Sequence, residues 1–210
     1  MTVMITLTPI TEPAKLEEYF RFRHRIYIES RHAAFLNGNS NGLDVDAFDA
    51  RALHFGWYLN GVLVGCVRFV EPDENGISIP MLALAPDEQV RGAVKRYIAE
   101  RRCRNERMVE ASRFCLAPEH RGLRTAREFV LAMLRAMRPY GVEHGLFDCD
   151  EKHAGFYRSM GFALLPGAAR WKVPFLDYTT TTLEYDLQRM LGRDPGMLMT
   201  SGIGPTQKAA

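Results

Sequence analysis

The chain has 210 residues, 47% of them hydrophobic and 25% charged, with a formal net charge of +2. That is ordinary composition for a soluble globular protein and enough chain for one sizeable core. So small a net charge gives no case for a nucleic-acid partner, and no window approaches the ~18–20 uncharged apolar residues of a membrane span.

In chain order, residues 4–7 read as a short first strand, and Thr11 as the cap of a helix with Pro13 in its first turn. Leu16, Phe20, Arg23 and Tyr27 fall on one face of that helix, while Arg21, Arg25 and Glu29 fall on a solvated one. Arg23 either snorkels at the edge of the core or turns inward to a partner. Residues 37–42, Asn-Gly-Asn-Ser-Asn-Gly, cannot build a packed element and read as a mobile loop, functional or plain surface. A carboxylate cluster follows, with Asp44, Asp46 and Asp49. Then two strand-like runs, 53–59 and 62–68, flank Asn60-Gly61, the strongest short signal for a hairpin. Arg68 shares parity with Val62, Val64 and Cys66. A cation on an apolar strand face needs a partner, and Asp46 and Asp49 are the candidates.

Residues 71–76 form a turn region. Residues 86–102 read as a helix with acids at its start and bases towards its end. Arg91, Lys95, Arg96, Arg101, Arg102 and Arg104 crowd this segment, either as a solvated face or as a docking patch for an acidic partner. Residues 108–116 have the composition of a central strand but carry Glu110 and Arg113. Residues three apart on an unbroken strand face opposite sides. Either a β-bulge between them brings both charges into one site, or the strand is unbroken and one of the two finds a partner on the far face.

Residues 121–140 form a strongly amphipathic helix, 145–149 a strand and 151–160 a short helix closed by Gly161. Strands at 162–165 and 179–187 complete a mixed α/β fold with helices on the faces of one sheet. Residues 1–191 read as one domain, and 192–210 as a flexible tail. The four cysteines are widely separated. They read as reduced residues of a cytoplasmic protein rather than a disulfide or zinc framework, and no metal site is expected.

The segment Phe156-Tyr157-Arg158-Ser159-Met160-Gly161-Phe162, after a strand and a helix, resembles the late motif of the GNAT superfamily of N-acyltransferases. Arg23-x-x-x-Tyr27, Asp46-x-Phe48-Asp49, Gly65-Cys66-Val67-Arg68 and Glu110-x-Ser112-Arg113-Phe114 resemble, in order, the signature of acyl-homoserine-lactone synthases. Related N-acyl amino acid synthases are also similar. The resemblance implies a three-layer α/β/α fold around a mostly antiparallel sheet that splays at its central strand. It also implies transfer of a fatty acyl group from an acyl-carrier-protein thioester to an amine, with S-adenosylmethionine as first candidate and quorum-sensing lactones as products. An amino acid or other amine is the alternative acceptor, and a non-catalytic acyl-binding module is a third reading. No permanently bound cofactor is implied.

Two departures bear on the acceptor: Tyr27 stands where the family usually has Phe, and Ala33 where it has Trp, with Phe35 as a substitute. A third bears on the donor. Neither frame of the acetyl-CoA signature Arg/Gln-x-x-Gly-x-Gly/Ala fits residues 119–126, which favours a carrier protein, although Arg121 and Arg124 leave acyl-CoA open.

By this reading Glu110 is the general base, and backbone N–H groups near Ser112 and Phe114 hold the oxyanion. Arg23, Asp46, Asp49, Arg68 and Arg113 bind the acceptor or pin the N-terminal segment to the sheet, with Tyr27 and Phe35 beside them. His54 and Tyr157 are secondary candidates, His54 as a packed neighbour of the hairpin and Tyr157 as the acid for the leaving thiol. Met108, Phe114, Leu146 and Phe147 are expected to set pocket depth.

Overall fold

Asn60 and Gly61 both take positive φ, 50° and 79°, so the connection between β2 (Leu53–Leu59) and β3 (Val62–Val70) is a tight turn of the expected hand. A computed structural model describes residues 5–36, 41–73, 79–173 and 175–192. The tail, most of the 37–42 loop and part of the 71–76 turn lie outside the described residues. Seven strands form one sheet in the order β1-β2-β3-β4-β5-β7-β6. β1 (Thr8–Pro9) pairs with β2 at Gly56 and Phe55, so the first pairing falls just after the segment expected to make it. β4 (Met108–Leu116) is antiparallel to β3 and parallel to β5 (His144–Asp150); β7 (Thr180–Asp186) is antiparallel to β5 and to β6 (Ala163–Leu164).

Six helices cover the two faces. α1 (Pro13–Ile28), α2 (Pro80–Leu84) and α3 (Glu88–Cys103) lie on one; α4 (Leu123–Met137), α5 (Glu151–Met160) and α6 (Leu187–Leu191) lie on the other. This is the GNAT-like three-layer arrangement. α4 buries Phe129, Val130, Leu134 and Met137 against the sheet. Gly65 makes that approach possible, because a Cβ there would lie 2.7 Å from the Phe129 ring and 2.8 Å from Leu116.

Some local expectations shift. Glu12, not Thr11, occupies the cap position of α1, and makes no side-chain capping bond. α3 begins at Glu88 because Asp87 caps it, accepting the Val90 N–H at 2.9 Å. The helix expected at 121–140 starts at Leu123 and ends in a 3₁₀ turn, Arg138–Tyr140. α2, short and introduced by Pro80, has no periodicity long enough to read from sequence. The parity expected along β3 is broken by a register shift opposite Trp57 and Tyr58, which leaves Val64 as the extra residue. Among the described residues no helix is long and apolar enough to cross a membrane.

Candidate active site

Two irregularities in β4 make the site. First, Cys66 faces Cys115 and Arg68 faces Ser112, so β4 carries one more residue than β3 between those pairs. Arg113 sits in this bulge with φ of 55°, a left-handed conformation uncommon for a residue other than glycine. The bulge falls at Arg113 itself rather than before it. Its effect is the expected one, since Arg113 reaches the α1 side of the sheet, where Arg68 and Glu110 also lie. Second, β4 pairs with β5 only through Met108, Val109 and Glu110. Beyond Glu110 the two strands part, while β5 stays paired with β7 along its whole length.

A cavity of about 650 Å³ fills the gap, within the range of small-molecule sites. One side is polar and aromatic, with Tyr27, His32, Phe35, Glu110, Ser112, Arg113, Asp148 and Tyr178. The other is apolar, with Phe114, Val130, Met133, Leu134, Phe147, Phe156, Phe162 and Tyr185. The site therefore joins a polar chamber on the α1 side to an apolar chamber between the sheet and helices α4 and α5. Of the four residues expected to set its depth, Phe114 and Phe147 line it. Met108 and Leu146 point the other way, into the cluster beneath α2 and α3.

Glu110 is 1% exposed, and its Oε2 accepts the backbone N–H of Met81 at 3.0 Å. α2 exists at the right place to supply that donor. Burial first, and then the charge of Asp148, push the Glu110 carboxyl up to about 8, against the opposing pull of the Met81 N–H, Arg68 and Arg113. Asp148, half-buried on β5, is pushed up to about 6 by burial, with Arg113 opposing. No salt bridge reaches either carboxylate among the described residues. Sequence reasoning missed Asp148, because a lone acid in Phe-Asp-Cys-Asp reads as a strand end running into a helix cap. Asp150 is that cap, accepting the Lys152 N–H and pairing with Arg31.

Beside the cavity, three arginines and three aspartates interlock. Arg23 binds Asp44 at 2.7 Å and Asp49 at 2.7 Å; Arg68 binds Asp46 at 2.6 Å and Asp49 at 2.9 Å. Arg113 binds Asp44 at 2.9 Å and Asp46 at 3.2 Å, and its guanidinium lies over the rings of Tyr27 and Phe35. Arg68 also donates to the Ser112 hydroxyl at 3.1 Å. Burial works to raise Asp49, but Arg23 and then Arg68 outweigh it and hold the carboxyl down to about 2. Asp44, which the sequence reading passed over for Asp46 and Asp49, is the aspartate that links α1 to the bulge. Arg23 and Arg68 are 0% exposed. Within the hexad only Arg113 lines the cavity; Arg23, Asp46, Asp49 and Arg68 stand behind it.

Other candidates disperse. His54 is buried against Tyr19 and Phe20, with Nε2 3.1 Å from the Asp49 carbonyl, and does not line the cavity. Tyr157 does line it, with its ring edge-on to Phe147 and Phe162; burial raises its hydroxyl pKa. The basic side chains of α3 lie outside the cavity. Arg101 pairs with Glu106 at 2.8 Å and approaches His144, at the start of β4 and β5, and Arg102 donates to the Asp73 carbonyl. The cavity rim at Arg121, Gly122 and Leu123 is at the other end of β4. All four cysteines are free thiols, and among the described residues no cluster of His, Cys, Asp and Glu could hold a metal ion.

No curated protein matches this chain in sequence. Solved structures do match in fold. An acyl-homoserine lactone synthase, BjaI, described as CoA-dependent and solved with MTA, superposes with a TM-score of 0.64 at 18% identity, over 97% of this chain and 95% of that one. The N-acyl amino acid synthase FeeM from uncultured soil microbes gives 0.62 at 15% identity, over 94% and 98%. The acyl-homoserine lactone synthase LasI gives 0.62 at 14%, over 97% and 98%. At these identities the likeness concerns the fold. The family model for N-acyl amino acid synthase FeeM, however, matches residues 18–172, a span that includes the hexad, the bulge and both splayed strands. The chain is an acyltransferase belonging to the N-acyl amino acid synthase FeeM family, which shares its fold with the acyl-homoserine lactone synthases.

Proposed function

We propose that this protein moves a fatty acyl group from an acyl-carrier-protein thioester to the α-amino group of an amino acid. The observation that carries this reading is the cavity between β4 and β5, polar around Glu110 and apolar under α4 and α5. An acyl tail suits the apolar chamber and a charged amine the polar one, so the thioester carbonyl falls between them, beside the bulge. Beyond Glu110, β4 has no strand partner on its β5 side. N–H groups there, near Ser112 and Phe114, are the proposed oxyanion donors. Glu110 accepts a proton from the attacking amine, directly or through a water, and a pKa near 8 suits that task at neutral pH. Tyr157 is the proposed acid for the leaving thiol. Arg113, over Tyr27 and Phe35, receives the acceptor's carboxylate. Arg23, Asp46, Asp49 and Arg68 act through Arg113, fixing its position.

S-adenosylmethionine, itself an α-amino acid, is the second reading. It is favoured by the four ordered segments shared with acyl-homoserine-lactone synthases, whereas Ala33 in place of their Trp favours a plain amino acid. Acyl-CoA is the alternative donor, through Arg121 and Arg124. Mass spectrometry of organic extracts from overexpressing cells tests all of this. N-acyl amino acids absent from a Glu110→Gln control support the first reading; acyl-homoserine lactones with methylthioadenosine support the second. Extracts identical to the control would remove the enzyme reading and leave an acyl-binding module.

A further inference from the structure

Apart from Glu110, whose carboxylate accepts the Met81 N–H, the other aspartates beside the polar chamber are held by cations. Asp44 and Asp46 bind arginines, and Asp150 is bound by Arg31 and Lys152. Asp148 has no ion-pair partner among the described residues, although it lies two residues beyond the last β4–β5 pairing, on the same sheet face as Glu110, and lines the same cavity. A half-buried carboxylate without a cation is costly unless a ligand supplies one. Resting on the acyl-transfer reading, we propose that Asp148 is a second functional carboxylate of the site: it receives the acceptor's ammonium and takes its first proton, and Glu110 takes the second.

Two protons leave the nitrogen during the reaction, and two carboxylates can take one each. An ammonium carries three N–H protons and the amide keeps one. The first leaves before attack, freeing the nitrogen lone pair; the C–N bond then forms as the carbonyl π pair moves to oxygen. The second leaves the cationic nitrogen of the tetrahedral intermediate. Collapse re-forms the carbonyl and breaks the C–S bond, and the thiolate needs one proton back. That proton comes from Tyr157, the proposed acid, and the proton held on Glu110 replaces it. Asp148 is partly open and can release its own to solvent. Their ordinary order is also preserved, since Asp148 ionises near 6 and Glu110 near 8. Besides Glu110, the titratable and charged groups around Asp148 are Arg113 from β4, His32 after α1, Tyr178 before β7, Cys149 and Asp150 on its own strand, and His153 on α5. Of these, only Arg113 is a permanent cation lining the chamber.

Two measurements test the assignment. The first needs no turnover. Carboxyl carbon NMR follows the titration of Asp148 in the wild-type protein with propylammonium chloride, against sodium chloride at equal concentration. An ammonium site lowers the Asp148 midpoint by about half a pH unit or more relative to sodium. Equal midpoints overturn the proposal. The second uses whichever amino acid or S-adenosylmethionine the wild-type chain acylates. Asp148→Asn should raise the acceptor KM about tenfold or more, leave the donor KM unchanged and abolish the limb of the pH profile near 6, with Asp148→Glu restoring part of each. Donor and acceptor KM rising together, with the limb retained, overturns it. A wild-type chain that acylates no amine sinks the acyl-transfer reading instead, and the NMR titration then decides Asp148 alone.

Discussion

The hexad and the carboxylate pair are neighbours that treat buried charge in opposite ways. In the hexad three arginines meet three aspartates, each bond short and each charge answered, and Asp49 is held down to about 2. In the chamber Glu110 and Asp148 have no ion-pair partner among the described residues, and both are pushed up, to about 8 and about 6. A compensated network ties distant segments together and, apart from Arg113 at the cavity, takes no part in the reaction; an uncompensated pair stores an unmet demand for a proton or a cation. The difference separates scaffold from chemistry within one contiguous set of charged residues.

The largest break of that contrast is Glu110→Gln. Glutamine keeps an oxygen for the Met81 N–H but cannot take a proton. Turnover is expected to fall about 100-fold to 10,000-fold, read as kcat with an identified acceptor. Stability should move the other way. A carboxyl raised from 4.5 to about 8 in the folded protein costs nothing below pH 4.5, where both states hold the proton. The cost grows as pH rises through that window and is complete above 8, on the order of 5 kcal/mol if the whole shift is expressed. Glu110→Gln should therefore melt at a higher temperature than wild type at pH 8, and the gain should disappear at pH 4. A variant that loses activity and melts lower at pH 8 would place Glu110 in the scaffold.

Asp49→Ala attacks the other side of the comparison. It leaves Arg23 and Arg68, both 0% exposed, without their shared partner. Breaking a buried pair by removing one member costs about 3–5 kcal/mol, measurable as a loss in chemical denaturation. In the intact protein the depressed Asp49 carboxyl contributes stability above its ordinary value of 3.8, and that contribution is lost as pH falls through about 2. The mutant should lack that part of the acid transition. An Asp49→Ala protein as stable as wild type would remove the scaffold role of the hexad.

Much of this contrast was legible in the sequence where chemistry is local. Asn60-Gly61 set the hairpin, Arg68 on an apolar strand demanded Asp46 and Asp49, and α5 appears between the residues expected for it. Two charges at incompatible parity left a bulge or a far-face partner, and the bulge is what β4 forms. What remained hidden depends on pairings that no single segment encodes. Asp44 matters because Arg113 turns left-handed at the bulge and reaches back to it. Asp148 matters because hydrogen bonding between β4 and β5 stops at Glu110, a break that neither strand's composition announces. α2 matters for one N–H, and it is too short to leave a periodic trace. The basic stretch of α3 looked uniform in sequence, yet Arg101 and Arg102 are bound to neighbours and Lys95, Arg96 and Arg104 have no ion-pair partner among the described residues.

That division on α3 carries the contrast to the surface and gives its smallest expected effect. Answered cations such as Arg101 belong to the scaffold, so reversing Arg101 is expected to cost stability first. Reversing Lys95, Arg96 and Arg104 to Glu leaves those bonds intact and removes only unanswered charge. Lys95, Arg96 and Arg104 do not line the cavity, so they stand outside the site where the thioester reacts. Their expected partner is therefore the surface of a large acidic carrier rather than the acyl chain itself. The triple reversal should raise the KM for an acyl-carrier-protein thioester about threefold to tenfold at low salt, less at high salt, and leave an acyl-pantetheine donor unaffected. Equal KM values for both donors, before and after reversal, would remove carrier docking from α3 and leave Arg121 and Arg124 at the rim as the surface to test.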